Sequence, residues 1–235
     1  MATTDAFQTA ADQTLTLMGR APMIRAVNFH NTPRERAAEI DDQLGRLSRS
    51  FGPVTEDDLD TYLATGRWRR SKPGIIISVY EGYRNGYDVM RPLLERHGLV
   101  GWFFVITGFV NTKPADQLAF AQEHDIGMES REYSDGRYAM SWDELRSLSR
   151  RHVVASHARR HVALDTLDAA GRESEVIGSQ QDLRQELSQP ARTFVSYGGP
   201  AYGNDPLTDA LIDRAGYQFV FSNLKIQRLR AHART

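Results

Sequence analysis

The chain has 235 residues, 40% of them hydrophobic and 25% charged, with a formal net charge of −1 at pH 7. This length and composition suit one large or two small globular domains, each able to bury a core. A net charge so near zero excludes a broad basic field for nucleic acid or an anionic membrane, and the absence of cysteine excludes disulfides and thiolate metal sites.

Residues 1–22 are polar, contain two Asp and lack a long apolar core, so neither a signal peptide nor a transmembrane span is expected, and a cytoplasmic location is. At most a weak helix is expected around Asp12–Met18. Met23–Phe29 is short and apolar on average and reads as a first strand, with His30 near its carboxyl end. Thr32 and Pro33 then suit the start of a helix running to about Ser50, in which Ala37, Ile40, Leu44 and Leu47 make an amphipathic stripe. Thr55 with Asp58 resembles a capping pair opening a short helix through Leu63, and Arg67–Lys72 is a basic connection.

The run Ile75–Val79, bounded by Pro73-Gly74 and Glu81-Gly82, reads as a buried strand. A helix over Asp88–His97, closed by Gly98, and a second apolar run at Gly101–Thr107 complete a βαβ unit, which implies parallel strands. Pro114–His124 reads as a helix with Leu118 and Ala121 inward, and Gly127–Arg137 as a polar loop carrying Glu129, Glu132 and Asp135. Ser141 with Glu144 forms a capping box, and Val153–Ala155 is a short strand. A helix over Arg172–Ser188, a strand at Thr193–Tyr197, a Gly-rich turn, a helix over Pro206–Ala215 and a strand at Tyr217–Ser222 follow. The alternation is unbroken by linker or repeat, so a single α/β domain over 23–229 is expected, flanked by an N-terminal extension (1–22) and a basic tail (230–235).

In such a fold, ligands collect beyond the carboxyl ends of the strands. Tyr80 and Glu81 occupy one such end, and His157 and His161 lie just past another. The four-residue spacing of the histidines would put both on one face of a helical turn, where two imidazoles can ligate a divalent metal. Alone, that spacing does not separate a metal pair from two solvated surface histidines; Glu81 is a candidate third ligand.

Several stretches together resemble the NodB-homology polysaccharide deacetylases. They are Gly82–Tyr87 followed by Pro92-Leu93-Leu94 and His97-Gly98-Leu99, then Phe103–Phe109, then Met140–Leu145 leading to Ala155-Ser156-His157 and His161. Phe29-His30 is similar to the Tyr-His that ends the first strand in members from exopolysaccharide clusters. The resemblance covers about residues 23–229 and implies a distorted (β/α) barrel.

It also implies an amide hydrolase acting on an oligosaccharide or smaller N-acylated sugar, with a divalent metal, zinc, as cofactor. His157, His161 and Glu81 align with the metal ligands, and the Tyr197-Gly198-Gly199-Pro200 turn, with His30, with the substrate and oxyanion contacts. The family's first motif, Thr/Ser-Phe-Asp-Asp-Gly, is here Ser78-Val79-Tyr80-Glu81-Gly82, which sets Tyr80 at the catalytic base. The family's last Leu and His motif has no counterpart, since His232 lies in the tail. A phenol, with a reference pKa of about 10, is a poor base, so Asp88, Glu129 and Glu132 are candidate replacements. Three readings are therefore open: a metal-dependent deacylase, a binding protein that has lost hydrolysis, and altered chemistry with Tyr80 as an acid. No nucleic-acid or membrane partner is expected.

Overall fold

The run Gly74–Val79 is buried along its whole length, as a central strand covered on both faces must be, and the other elements are laid out around it. The computed structural model describes residues 23–128 and 132–229. In chain order, β1 (Ile24–Phe29) leads through a 3-10 turn to α1 (Ala37–Ser50), β2 (Gly52–Pro53), α2 (Glu56–Thr65) and β3 (Gly74–Val79). A π turn at Gly86–Met90 precedes α3 (Arg91–Arg96), β4 (Gly101–Val105), α4 (Thr107–Asn111), α5 (Gln117–Glu123), α6 (Trp142–Leu148) and β5 (Val153–Ser156). Then come α7 (Ala169–Leu187), β6 (Thr193–Phe194), α8 (Pro206–Ala215), β7 (Phe219–Phe221) and β8 (Ile226–Arg228).

The sheet runs β1-β3-β4-β5-β6-β7-β8, with β2 paired to the start of β3; only the β7–β8 pair is antiparallel. It curls into the expected distorted (β/α) barrel. Alternation along the strands splits the core in two. Ile76, Trp102, Phe104, Phe219 and Phe221 fill the barrel interior, while Ile75, Ile77, Phe103 and Val105 face the helices. The barrel does not close: among the described residues β1 pairs only with β3, and β8 only with β7. Across this gap lies α2, tied to β8 by Arg228 Nε to Asp60 Oδ1 (2.7 Å) and to β6 by Thr193 Oγ1 to Glu56 Oε1 (2.7 Å). Its Leu59 is buried in the interior core.

Both expected capping boxes, Thr55–Asp58 and Ser141–Glu144, are present. Thr32, however, does not cap the first helix; its N–H and hydroxyl both donate to Asn85 Oδ1, which ties the end of β1 to the turn after β3. Leu118 is 40% exposed rather than inward. The buried positions on α5 are Gln117 and Ala121, because the Gln117 amide oxygen accepts the N–H groups of Tyr138 and Ala139 (2.7 and 3.0 Å). No described helix is long and apolar enough to cross a membrane. The extension 1–22, with the weak helix expected there, and the tail 230–235 lie outside the described residues.

Candidate active site

The chain leaves β3 through Tyr80 and turns sharply at Glu81 (φ 67°) and Gly82 (φ 87°). A left-handed backbone costs a residue with a Cβ about 1 kcal/mol, so Glu81 is held there by its surroundings. Gly82 N–H donates to the Tyr80 carbonyl at 2.9 Å, and Ile106 N–H to the Glu81 carbonyl at 3.3 Å. The turn drives the Glu81 carboxylate inward until the residue is 3% exposed. Its Oε1 accepts a hydrogen bond from His30 Nδ1 at 2.8 Å, and this bond raises the imidazole pKa above its ordinary value. Glu81 Oε2 is buried and has no hydrogen-bond partner.

His157 and His161 meet this carboxylate, although not from a helical turn as the spacing suggests. They stand in an irregular loop after β5, in which Ala158 (φ 58°) and His161 (φ 57°) are both left-handed. Each ring gives its Nδ1–H to a backbone carbonyl, His157 to Val195 at 3.2 Å and His161 to His124 at 2.9 Å. This sets Nε2 as the lone-pair nitrogen of both rings, the arrangement by which metal-ligating histidines are usually oriented. Burial pushes the His157 pKa down to about 3, so this ring is neutral at ordinary pH.

The loop itself is anchored by α7. Glu175, fully buried, accepts the N–H groups of Arg159 and Arg160 on one oxygen (2.9 and 2.8 Å) and Arg160 Nε on the other (2.6 Å). Arg159 forms a two-pronged pair with Asp182 (2.9 and 2.7 Å), which also accepts from Thr107 Oγ1 at 2.7 Å. One turn away, Ser156 Oγ donates to Ser179 Oγ at 2.9 Å. Gly108 lets the loop approach α4, since a Cβ there would fall 2.3 Å from the Arg159 carbonyl oxygen.

One ligand atom from each of Glu81, His157 and His161 lies within 4.8 Å of the others. The donor set fits a divalent ion: two oriented imidazole nitrogens, a carboxylate, and a buried carboxylate oxygen otherwise left without a partner.

The triplet opens on a cavity of about 940 Å3 that His30, Tyr80, Tyr197, Gly198 and Gly199 also line. Tyr80 is stacked between Phe104 (4.9 Å between centroids) and His30 (5.1 Å). Burial pushes its phenol up to about 12, so it is a neutral donor at ordinary pH. In the Tyr197–Pro200 turn, Gly199 N–H is already given to the Ser196 carbonyl at 3.0 Å and is not free for an oxyanion. Among the described residues, the N–H groups of Tyr197 and Gly198 donate to no other group.

Of the candidate replacement carboxylates, Asp88 and Glu132 do not line the pocket. Asp88 pairs with Arg84, and Glu132 accepts from Arg34 N–H and Asn85 Nδ2; Glu129 and His232 lie outside the described residues. The pocket instead contains Asp125, which the sequence reading missed; its Oδ2 accepts from the Tyr197 hydroxyl at 3.3 Å. Asp125 follows His124, whose carbonyl orients His161, but that this segment reaches the pocket is a tertiary fact with no signature in the sequence.

The sequence profile of the polysaccharide deacetylase family matches residues 69–220, which is more than half of the chain. The chain belongs to that family. The described site therefore lies in a carbohydrate deacetylase fold, and solved structures agree on that fold. The Streptococcus pyogenes deacetylase PplD, in complex with acetate, is 14% identical with a TM-score of 0.65, over 88% of this chain and 86% of its own. IcaB from Ammonifex degensii is 18% identical with a TM-score of 0.61, over 86% of this chain and 84% of its own. The BpsB deacetylase domain from Bordetella bronchiseptica is 14% identical with a TM-score of 0.60, over 86% and 89%. Comparison with curated protein sequences gives no match.

Proposed function

We propose that the chain is a metal-dependent N-deacylase that removes an acyl group from an amino sugar or a related small amide. The observation that carries this reading is the buried triplet of Glu81, His157 and His161, with ligand atoms within 4.8 Å of one another and an unpartnered carboxylate oxygen among them. A divalent ion held by that set, zinc being the one it suits best, would supply Lewis-acid polarisation of the amide carbonyl and lower the pKa of a water to about 7.

The chain's own residues do the rest. His157 and His161 present their Nε2 atoms, oriented by the Nδ1 hydrogen bonds, and Glu81 contributes its carboxylate. His30, at the mouth of the pocket and hydrogen-bonded to Glu81, contacts the polar groups of the substrate. The N–H groups of Tyr197 and Gly198 serve as oxyanion donors, a role Gly199 cannot share. Tyr80 is protonated at working pH and donates rather than accepts a proton. General-base help, typically worth roughly 10²–10⁴-fold, is therefore missing at that position, and slow turnover is expected. The same neutral Tyr80 favours a second reading, in which the pocket binds an acylated sugar without hydrolysing it.

Metal analysis separates these outcomes. One equivalent of a transition ion is expected, absent from the His157→Ala/His161→Ala double variant, with release of acetate from N-acetylglucosamine oligomers lost on chelation and restored by zinc. A protein that takes up no metal sinks the deacylase, and metal binding without turnover on any N-acyl sugar favours the binding role. Unchanged turnover in Tyr80→Phe would assign the hydroxyl to packing.

A further inference from the structure

The turn after β6 lines the pocket and passes through two consecutive left-handed glycines, Gly198 (φ 72°) and Gly199 (φ 56°). A pair of glycines is a loosely restrained piece of backbone, because neither residue has a Cβ to limit φ and ψ. Donors aimed at a developing charge must nevertheless be preorganised, so a turn of this composition needs bracing from outside.

Asn223 supplies the brace. Its side-chain Nδ2 donates to the Gly198 carbonyl at 2.9 Å, and its backbone N–H to the Gly199 carbonyl at 3.0 Å. The approach is close, since a Cβ on Gly199 would fall 2.8 Å from Asn223 Oδ1. In a trans peptide the C=O and N–H point in opposite directions. The peptide between Gly198 and Gly199 is therefore held at both ends, its carbonyl by Asn223 and its N–H by the Ser196 carbonyl at 3.0 Å. That second bond also fixes the peptide carrying the Tyr197 N–H, so the Gly198 N–H lies between two restrained planes. Asn223 itself stands on a stiff support, the β7–β8 hairpin. There Ser222 Oγ accepts the N–H groups of Leu224 and Lys225 (3.2 and 3.0 Å), and Ser222 N–H donates to the Lys225 carbonyl (3.0 Å). At the other end of the turn, Tyr197 packs edge-on against the His161 ring, 4.6 Å between centroids.

We propose that Asn223 is a positioning residue, holding the Tyr197 and Gly198 N–H groups where the oxyanion forms and acting through the turn rather than on the substrate. This rests on the deacylase reading above, in which those two N–H groups receive the oxyanion. The sugar is bound before that charge develops, so loss of the brace falls on kcat and leaves KM alone.

Two variants and two readouts test the assignment. Asn223→Ala should lower kcat on N-acetylglucosamine oligomers by roughly tenfold or more, with KM within about twofold. Asn223→Asp keeps the shape but replaces the donor with an oxygen facing the Gly198 carbonyl, and should lose no less. Zinc affinity, read by competition with a chelator, should not change, because the Nδ1 bonds of both histidines are made to other groups. NMR order parameters of the Tyr197 and Gly198 amides read the brace without any reaction. They should fall from about 0.85, the value for rigid backbone, to below about 0.6 in both variants. Order parameters that do not move would overturn the brace whatever the activity. A rise in KM at constant kcat would overturn the positioning role and make Asn223 a substrate contact. Undiminished turnover in both variants of an active protein would overturn that role and leave the deacylase standing. Order parameters that fall in a protein hydrolysing no amide would overturn the deacylase and leave the brace.

Discussion

Two stretches bring histidines to the pocket, the His157–His161 loop and the carboxyl end of β1, and they are held in different ways. The loop carries two left-handed residues with side chains, yet the amides of His157, Ala158, Arg159 and Arg160, its arginine side chains and its two ring Nδ1 atoms have assigned partners. Most of these partners come from one helix, which places Glu175, Ser179 and Asp182 on one face against the barrel end. His30, in contrast, is a largely exposed ring attached to the site by one hydrogen bond and one stacking contact. A triplet able to hold a metal ion tolerates little positional error, and this one is fixed from outside by a polar network. A wall that only touches substrate can be left open to solvent.

That contrast can be broken experimentally. Glu175→Leu should show the largest effect, about 3 kcal/mol of stability lost in urea unfolding, because two loop N–H groups lose a buried acceptor. Metal affinity should fall with it. Glu175→Gln keeps the shape and one acceptor oxygen, so a loss of only about 1.5 kcal/mol is expected. Competition against a chelator should still show roughly tenfold weaker metal binding, as for other groups that orient ligands from behind. His30→Ala should cost less, about 1 kcal/mol, since a single part-buried hydrogen bond is removed. If His30→Ala proved more damaging to stability than Glu175→Leu, the two walls would have been ranked the wrong way round.

Glu144, outside both regions, sets the scale for an ordinary anchor and has the smallest expected effect. Burial pushes its carboxyl pKa up, but the pair with Arg137 and the capping bond from Ser141 N–H outweigh this, and the net shift is downward. A carboxyl held below its unfolded value stabilises above that value, here 4.5, and the contribution is lost as pH falls through the folded pKa. Glu144→Gln should therefore lower Tm at pH 7 by the equivalent of about 1 kcal/mol. As pH falls through the folded pKa of Glu144, the variant and the parent protein should converge.

The parts legible in the sequence were those set by near neighbours or by a spaced motif. The capping boxes at Thr55 and Ser141 are hydrogen bonds within one turn, and both formed as expected. Glu81, His157 and His161 were recognisable by their place at strand ends, although the loop conformation that unites the histidines was not. Leu118 was misjudged because the inward face of α5 is decided by Gln117, whose partners at Tyr138 and Ala139 lie 21 and 22 residues away. Glu175 went unnoticed for a related reason. It stands on a helix whose visible pattern is Val176, Leu183 and Leu187, and its spacing to Ser179 and Asp182 becomes meaningful only when the β5 loop lies opposite.

The incomplete barrel has a mechanical consequence. A closed barrel can widen only by breaking backbone ladder bonds, each worth about 1 kcal/mol net. Among the described residues, the first and last strands flank the same gap and share no ladder, and the Arg228–Asp60 pair ties α2 to β8 there. Such an exposed pair is worth about 1 kcal/mol or less. Among the described strands, the circumference can thus change at one point without loss of any strand pairing.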